Sequence, residues 1–242
     1  MSTLFISDLH LEDGRPQTVS ILKAFLQGPA QTADAVYILG DLFEFWIGDD
    51  VLTETARAMA NALSELSISK IPCFFQHGNR DFLLGSDYAK RAGLQLLPES
   101  FVTDLYGTPT LLLHGDALCT DDEEYQRFRR QVRTAKFRSE FLQMTPQNRL
   151  QLAQEARDAS KRHTAGAVAT YITDVNENAV TNAFRSHGVT RMIHGHTHRP
   201  AFHFHDLGAE GNGERLVLSD WDAAGSYLRV GPDGYEMLEF RG

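Results

Sequence analysis

Cysteine is scarce in this chain of 242 residues, which holds two, Cys73 and Cys119. Their separation matches no metal-ligand spacing and offers no disulfide framework, so a thiolate zinc site and a stapled extracellular scaffold are both excluded. The pair reads as free thiols in a reducing compartment. Long apolar runs are missing too, and none reaches the length needed to span a bilayer. Met1-Ser2-Thr3-Leu4-Phe5-Ile6 carries no basic region and runs straight into a strand-like stretch, so no signal peptide is expected. Internal repeats and low-complexity tracts are absent. So are a P-loop, a glycine-rich dinucleotide fingerprint and a serine-nucleophile elbow, the usual sequence marks of triphosphate cleavage, hydride transfer and serine hydrolysis.

What is present is an ordinary balance of 42% hydrophobic and 23% charged residues, which suits a single α/β domain over residues 1–242 with room for an elaborate insertion. The net charge of −9 is unevenly spread. From Arg127 to Arg162 ten Lys/Arg stand against three acids (Glu140, Glu155, Asp158), so this block is +7 and the remainder −16. A basic block in an acidic protein points to an anionic substrate or surface beside it; a solvated helical face is the alternative.

The chemistry centres on Asp41. The run Ala35-Val36-Tyr37-Ile38-Leu39 is apolar and β-prone and stops at Gly40-Asp41. A buried strand ending this way projects an acid at its carboxyl end, where open α/β sheets place their ligands. Four further strand-like runs end comparably. Thr3–Ile6 leads to Ser7-Asp8-Leu9-His10, and in extended backbone positions two apart point to the same side. Ile71–Gln76 leads to His77-Gly78-Asn79-Arg80-Asp81, Thr110–Leu113 to His114-Gly115-Asp116, and Arg191–Ile193 to His194-Gly195-His196-Thr197-His198-Arg199-Pro200. Carboxylate, amide and imidazole donors in this mixture suit first-row divalent ions. The seven donors Asp8, His10, Asp41, Asn79, His114, His196 and His198 are too many for one ion. They are about right for two ions roughly 3.5–4 Å apart, a pair suited to in-line phosphoryl displacement.

Asp8-x-His10, Gly40-Asp41, Gly78-Asn79, His114 and Gly195-His196-x-His198 together resemble the motif set of the calcineurin-like binuclear metallophosphatases. The resemblance implies a four-layer αββα sandwich of two mixed sheets. It also implies one metal on Asp8, His10, Asp41 and His198, and a second on Asp41, Asn79, His114 and His196, with Asp41 bridging. His194 falls outside the pattern and is expected at the strand end beside the ligands. The stretches Ser7–Leu11, Gly40–Asp50, His77–Leu83, His114–Asp122 and Ile193–Pro200 narrow the likeness to one subgroup, the UDP-2,3-diacylglucosamine pyrophosphohydrolases of lipid A synthesis in Gram-negative bacteria. That subgroup implies two Mn2+ ions and metal-hydroxide attack on the α-phosphorus of UDP-2,3-diacylglucosamine, giving UMP and 2,3-diacylglucosamine 1-phosphate. It implies a cytoplasmic enzyme held peripherally on the anionic cytoplasmic face of the inner membrane, with no nucleic acid and no obligate protein partner. Catalytic roles fall on Asp41, Asn79, Arg80 and His114, and substrate contacts on Asn79, Arg80, Asp122, Ser160, Thr164 and His196. A broader phosphodiesterase or nucleotide pyrophosphatase on the same binuclear site is the other reading.

Arg80 supports a diphosphate substrate on chemical grounds. Arginine cannot protonate a leaving group near neutral pH, and a phosphate monoester expelled from a diphosphate needs no proton. Its planar fork suits phosphate oxygens. Residues 120–165 read as a helical insertion over the site, a lid. One helix is expected from Asp122 through Tyr125, Phe128, Val132 and Ala135, and a second from Pro146 to His163, with basic residues on the rim meeting anionic headgroups. In the family pattern Ala167 stands where some members have lysine, a departure after Thr164. Further scaffold is expected as helices at 18–27, at 53–66 and from Asp174–Glu177 onward. Strands Ala201–His205, Arg215–Leu218, Tyr227–Val230 and Tyr235–Phe240 are expected in the second sheet, with His203 and His205 on its surface.

Overall fold

The structure is a computed structural model and describes residues 1–163 and 173–241. Thr164 and Ala167 lie outside the described residues, as do the side chains of Lys161 and His163. In chain order the elements begin β1 (Thr3–Ile6), α1 (Pro16–Gln27), β2 (Ala35–Leu39), α2 (Glu54–Ile68), β3 (Cys73–Gln76), α3 (Ser86–Ala92) and β4 (Leu94–Leu96). The second stretch holds β5 (Ser100–Leu105), β6 (Thr108–Leu113), α4 (Glu123–Val132), α5 (Ala135–Leu142) and α6 (Pro146–His163). It closes with α7 (Glu177–His187), β7 (Arg191–His194), β8 (Ala201–Asp206), β9 (Asn212–Val217), β10 (Gly225–Gly231) and β11 (Gly234–Phe240).

Two mixed sheets form, ordered β11-β10-β1-β2-β3-β4 and β5-β6-β7-β9-β8. The layering follows from strand alternation, because successive side chains leave opposite faces. Leu4, Ile6, Val36 and Ile38 point outward and meet Leu22, Phe25, Met59 and Leu63 of α1 and α2. Phe5, Tyr37 and Leu39 point inward and meet Leu112, Ile193 and Leu216 of the other sheet. On the far face Leu111, Leu113 and Met192 pack against Val180 and Phe184 of α7. The result is the expected four-layer αββα order. Strands apolar on both faces are those buried on both faces, which is why β1 and β2 read as continuous hydrophobic runs.

Two expectations are corrected. β8 and β9 join the second sheet, but β10 and β11 extend the first, with β10 antiparallel to β1 in the register Thr3↔Val230, Phe5↔Leu228. Alternation predicts which side chains of β10 are buried, not which sheet edge has free backbone groups to pair with it. The first insertion helix is also broken. α4 ends near Arg133, and Thr134 accepts from the Phe137 amide at 3.1 Å to cap a separate α5. The threonine hydroxyl competes locally for backbone donors and restarts the helix. α3 and β4, of seven and three residues, are too short to show a period in the sequence, and β5 is a half-exposed strand without a long apolar run to mark it.

Candidate metal centre

Strand ends deliver the seven donors in an unusual backbone. Asp8, His10, Asp41, His196 and His198 all adopt left-handed φ values, between 49° and 68°. Such a conformation costs a non-glycine residue of order 1–3 kcal/mol and persists only where surrounding contacts enforce it. Here they do. The Asp8 amide donates to Gly40 O at 3.1 Å, the His10 amide to Asp41 O at 3.0 Å and the Trp221 amide to Asp8 O at 3.1 Å. The His196 amide donates to Asp8 Oδ2 and the Arg80 amide to Asp41 Oδ1, both at 2.8 Å. Glycines make the approach possible: a Cβ on Gly78 would lie 2.0 Å from Asp41 Oδ1, and one on Gly195 2.2 Å from Asp8 Oδ2.

The donors converge in two groups. Donor atoms of Asp8, His10 and His198 lie within 4.8 Å of one another, as do those of Asp8, Asp41 and His114. Asp8 is common to both groups, and Asp41 Oδ2 lies 4.0 Å from His10 Nε2 and 3.7 Å from His114 Nε2. Asn79 Oδ1 is 3.0 Å from both His114 Nε2 and His196 Nδ1. All seven residues read from the sequence are thus brought together, and the side chains fit a metal. Asp8 Oδ1 is buried without a hydrogen-bond partner, 3.4 Å from His198 Nε2. The outer nitrogens of His10 and His198 face Glu44 Oε2 at 3.1 Å and Asp220 Oδ2 at 3.4 Å. The two Nε2 atoms lie 3.3 Å apart, within reach of one shared proton whose place a cation would take.

Electrostatics agree. Burial, reinforced by the neighbouring His114 charge, pushes His196 down to about 4, so it is a neutral donor. Burial acts against protonated His198, but the carboxylates of Asp220 and Asp8 outweigh it and lift this imidazole to about 10, so an arriving metal must displace a proton. His114 donates Nδ1–H to Leu39 O at 2.8 Å, which leaves Nε2 facing Asp41. His194 is fully buried, and burial with the Arg215 charge pushes it down to about 3. Its Nδ1–H donates to Gly195 O, so it braces the strand end as expected.

Residues 1–200 match the family described as calcineurin-like phosphoesterase. The chain belongs to that family. UDP-2,3-diacylglucosamine hydrolase of Stenotrophomonas maltophilia (strain R551-3) is 50% identical over 243 residues, covering 98% of both chains. The protein of the same name from Xanthomonas campestris pv. campestris (strain B100) is 48% identical over the same share. Vacuolar Protein Sorting 29 from Cryptosporidium parvum covers 100% of this chain and 98% of its own at 13% identity, with a TM-score of 0.50, a likeness of fold alone.

This calcineurin-like site is braced by side chains that the sequence did not mark. Asp81 is buried and accepts from the amides of Leu42 at 2.7 Å and Gly78 at 2.9 Å, tying the Asp41 loop to the Asn79 loop; burial and the Asp41 charge push it up to about 7. It is therefore not the partner of Arg80. Among the described residues the Arg80 guanidinium makes no ion pair, and its Nε is buried without a hydrogen-bond partner. Asp116 accepts from Tyr125 Oη and Arg129 Nε, both at 2.7 Å, and Arg133 donates to Gly78 O at 2.8 Å. α4 is thus bolted to two ligand loops. Asp81 and Asp116 lay inside the quoted motifs and could have been found there; Asp220 carried no signal.

The basic block is more internal than its composition indicates. Arg129 and Arg133 also pair with Glu99, Arg149 is buried against Asp50 and Ile47 O, and Arg157 pairs with Glu44. Acids from other segments, shielded Asp116 and Glu44 and exposed Glu99 and Asp50, draw these arginines onto the protein. Arg127, Arg130 and Lys136 are exposed, as are Phe128, Leu142, Met144 and Leu152. Asp122 is buried and caps α4 by accepting from the Tyr125 amide at 2.9 Å, and Ser160 is half-buried on α6.

Proposed function

We propose that this protein hydrolyses UDP-2,3-diacylglucosamine in lipid A biosynthesis, releasing UMP and 2,3-diacylglucosamine 1-phosphate. The observation that carries the reading is the convergence of the donors in two adjoining groups that share Asp8, with Asn79 and His196 joined to them through His114, in a chain half identical to hydrolases that bear this substrate's name. Asp8, His10, Asp41 and His198 would hold one Mn2+, and Asp41, Asn79, His114 and His196 the other. When bound, the two ions supply a nucleophile at neutral pH and neutralise charge on the transferring phosphoryl group.

The chain's own groups do the positioning. Arg80 clamps the diphosphate, and its partnerless Nε supports that role. Asn79 and His196 face the same oxygens. The bond between the α-phosphorus and the bridging oxygen breaks, and the leaving group departs as a monoester that needs no proton. Residues 120–165, within the single domain, serve as a lid beneath which the glucosamine and acyl chains lie. Asp122, Ser160 and Thr164 contact the substrate there, Asp122 through the site it shares with the α4 cap. The exposed apolar residues of α4 to α6 and the outward Arg127, Arg130 and Lys136 support peripheral attachment to an anionic cytoplasmic membrane face. No helix among the described residues is long and apolar enough to cross a membrane.

Product analysis in 18O-labelled water, with chelator-treated and Mn2+-restored protein, tests the reading. UMP carrying the label is expected only with metal. Label in the sugar 1-phosphate, or full turnover in the stripped protein, would overturn it. Equal turnover of a lipid-free UDP-sugar would favour a broader nucleotide pyrophosphatase.

A further inference from the structure

We propose that Glu44 is a positioning residue through which the lid helix α6 holds the metal ligand His10 in place. The inference rests on the metal reading above and adds a function to the lid. Glu44 follows β2 on a rigid loop: its amide donates to Leu11 O at 3.1 Å, the Leu11 amide donates to Leu42 O at 3.0 Å, and Leu11 and Phe43 form a parallel bridge. This backbone carries the carboxylate to His10. Oε2 lies 3.1 Å from His10 Nδ1, and Oε1 accepts from Arg157 Nε on α6. The Glu44 side chain is 12% exposed and that of Arg157 27% exposed, so the chain of contacts is largely shielded from water.

A proton on Nδ1, on the side of the Glu44 carboxylate, leaves His10 Nε2 facing Asp41 Oδ2 and His198 Nε2. Such outer carboxylates fix the ring and the tautomer of metal-bound histidines. The ligand histidines differ in what holds them. His114 is anchored on the main chain at Leu39 O, and His198 faces Asp220, just after β9. For His10 the anchor is itself gripped by a side chain 113 residues away, on the insertion. When α6 withdraws, Glu44 loses its partner and its restraint, and His10 loses its fixed ring. When α6 is seated, the ligand is preorganised. Lid closure and retention of the ion beside His10 therefore favour each other, and by linkage the effect runs both ways.

The test measures Mn2+ affinity by electron paramagnetic resonance of the free ion on chelator-treated full-length protein, with circular dichroism to confirm folding. Glu44→Gln keeps the shape, loses the charge and should weaken binding about 10- to 100-fold. Arg157→Met decides. Removing a cation near a metal site should tighten binding by simple Coulomb repulsion, whereas the relay requires weaker binding, partly restored in Arg157→Lys. The Glu44→Gln/Arg157→Met double variant should bind no more weakly than Glu44→Gln alone, because Arg157 acts through Glu44. Tighter or unchanged binding in a folded Arg157→Met protein, or losses that add in the double variant, would overturn the relay and leave the metal reading standing. Failure of the wild-type protein to take up Mn2+ would remove both.

Discussion

Replacing Gly78 by alanine adds one methyl group at the most crowded point of the site. Its backbone suits any residue, so the effect is steric. The new Cβ would lie 2.0 Å from Asp41 Oδ1, 2.4 Å from Asp41 N and 2.8 Å from Asp41 Cγ. Ordinary contact begins at 3.4 Å, so about 1.4 Å must be opened against Asp41 Oδ1. Asp41 cannot swing aside cheaply. Its Oδ1 accepts from the Arg80 amide, its carbonyl from the His10 amide, and its backbone is already left-handed. The Asp41 carboxylate, proposed to bridge the two ions, must move, and a misplacement of about 1 Å in such a constellation costs on the order of 100-fold in rate. Overpacking adds roughly 1–3 kcal/mol of destabilisation, or about 2–12 °C in Tm for a chain of this size. The assay is steady-state turnover, bound metal and thermal melting of Gly78→Ala beside Gly14→Ala, where nothing lies within 4 Å of the added atom. Gly78→Ala with turnover and metal content within twofold of wild type would show that the Asp41 carboxylate is not held where the reasoning requires.

Arg80→Ala should lower turnover about 100- to 1000-fold while weakening ground-state binding less, because its fork gains strength as charge builds on the phosphoryl oxygens. Arg80→Lys should recover only part of this, since an ammonium lacks the planar fork; near-normal kcat in Arg80→Ala with normal metal content would make the arginine structural. The metal-free protein should lose stability as pH rises from neutrality through about 10. His198 is lifted above its ordinary value, so its contribution is complete below about 6.5 and vanishes as the folded-state proton is lost. Melting curves from mild acid to pH 10 should slope less in His198→Gln, and identical slopes would refute the assignment.

Much of the site was legible because it is written in short local units. Gly40-Asp41, Gly78-Asn79 and Gly195-His196-Thr197-His198 each combine a tight turn with a candidate metal donor, and each follows a short strand-like run with an apolar centre. The braces were not legible. Asp220 sits after β9 with nothing beside it to distinguish it from a loop acid, yet it holds His198. Arg129, Arg133, Arg149 and Arg157 belong to a basic block read as facing an anionic substrate or surface, yet they pair within the protein, because the acids that attract them, Asp116, Glu99, Asp50 and Glu44, come from distant segments. The break at Thr134 replaced one expected helix by two, because a hydroxyl capping bond competes with helical continuation on nearly equal terms.

By itself the sequence determined donor chemistry, the alternation that makes four layers, and the turns that end the strands. These depend on covalent identity and on backbone geometry within a few residues. Only the tertiary structure decided that β10 pairs with β1, that Asp41 lies beside both His10 and His114, and that α4 and α6 reach the ligand loops through Asp116 and Glu44. Those outcomes depend on which distant groups come within hydrogen-bonding distance once the sheets stack. Burial then sets their strength, because the cost of leaving a buried charge unpaired exceeds any local preference for where its side chain points.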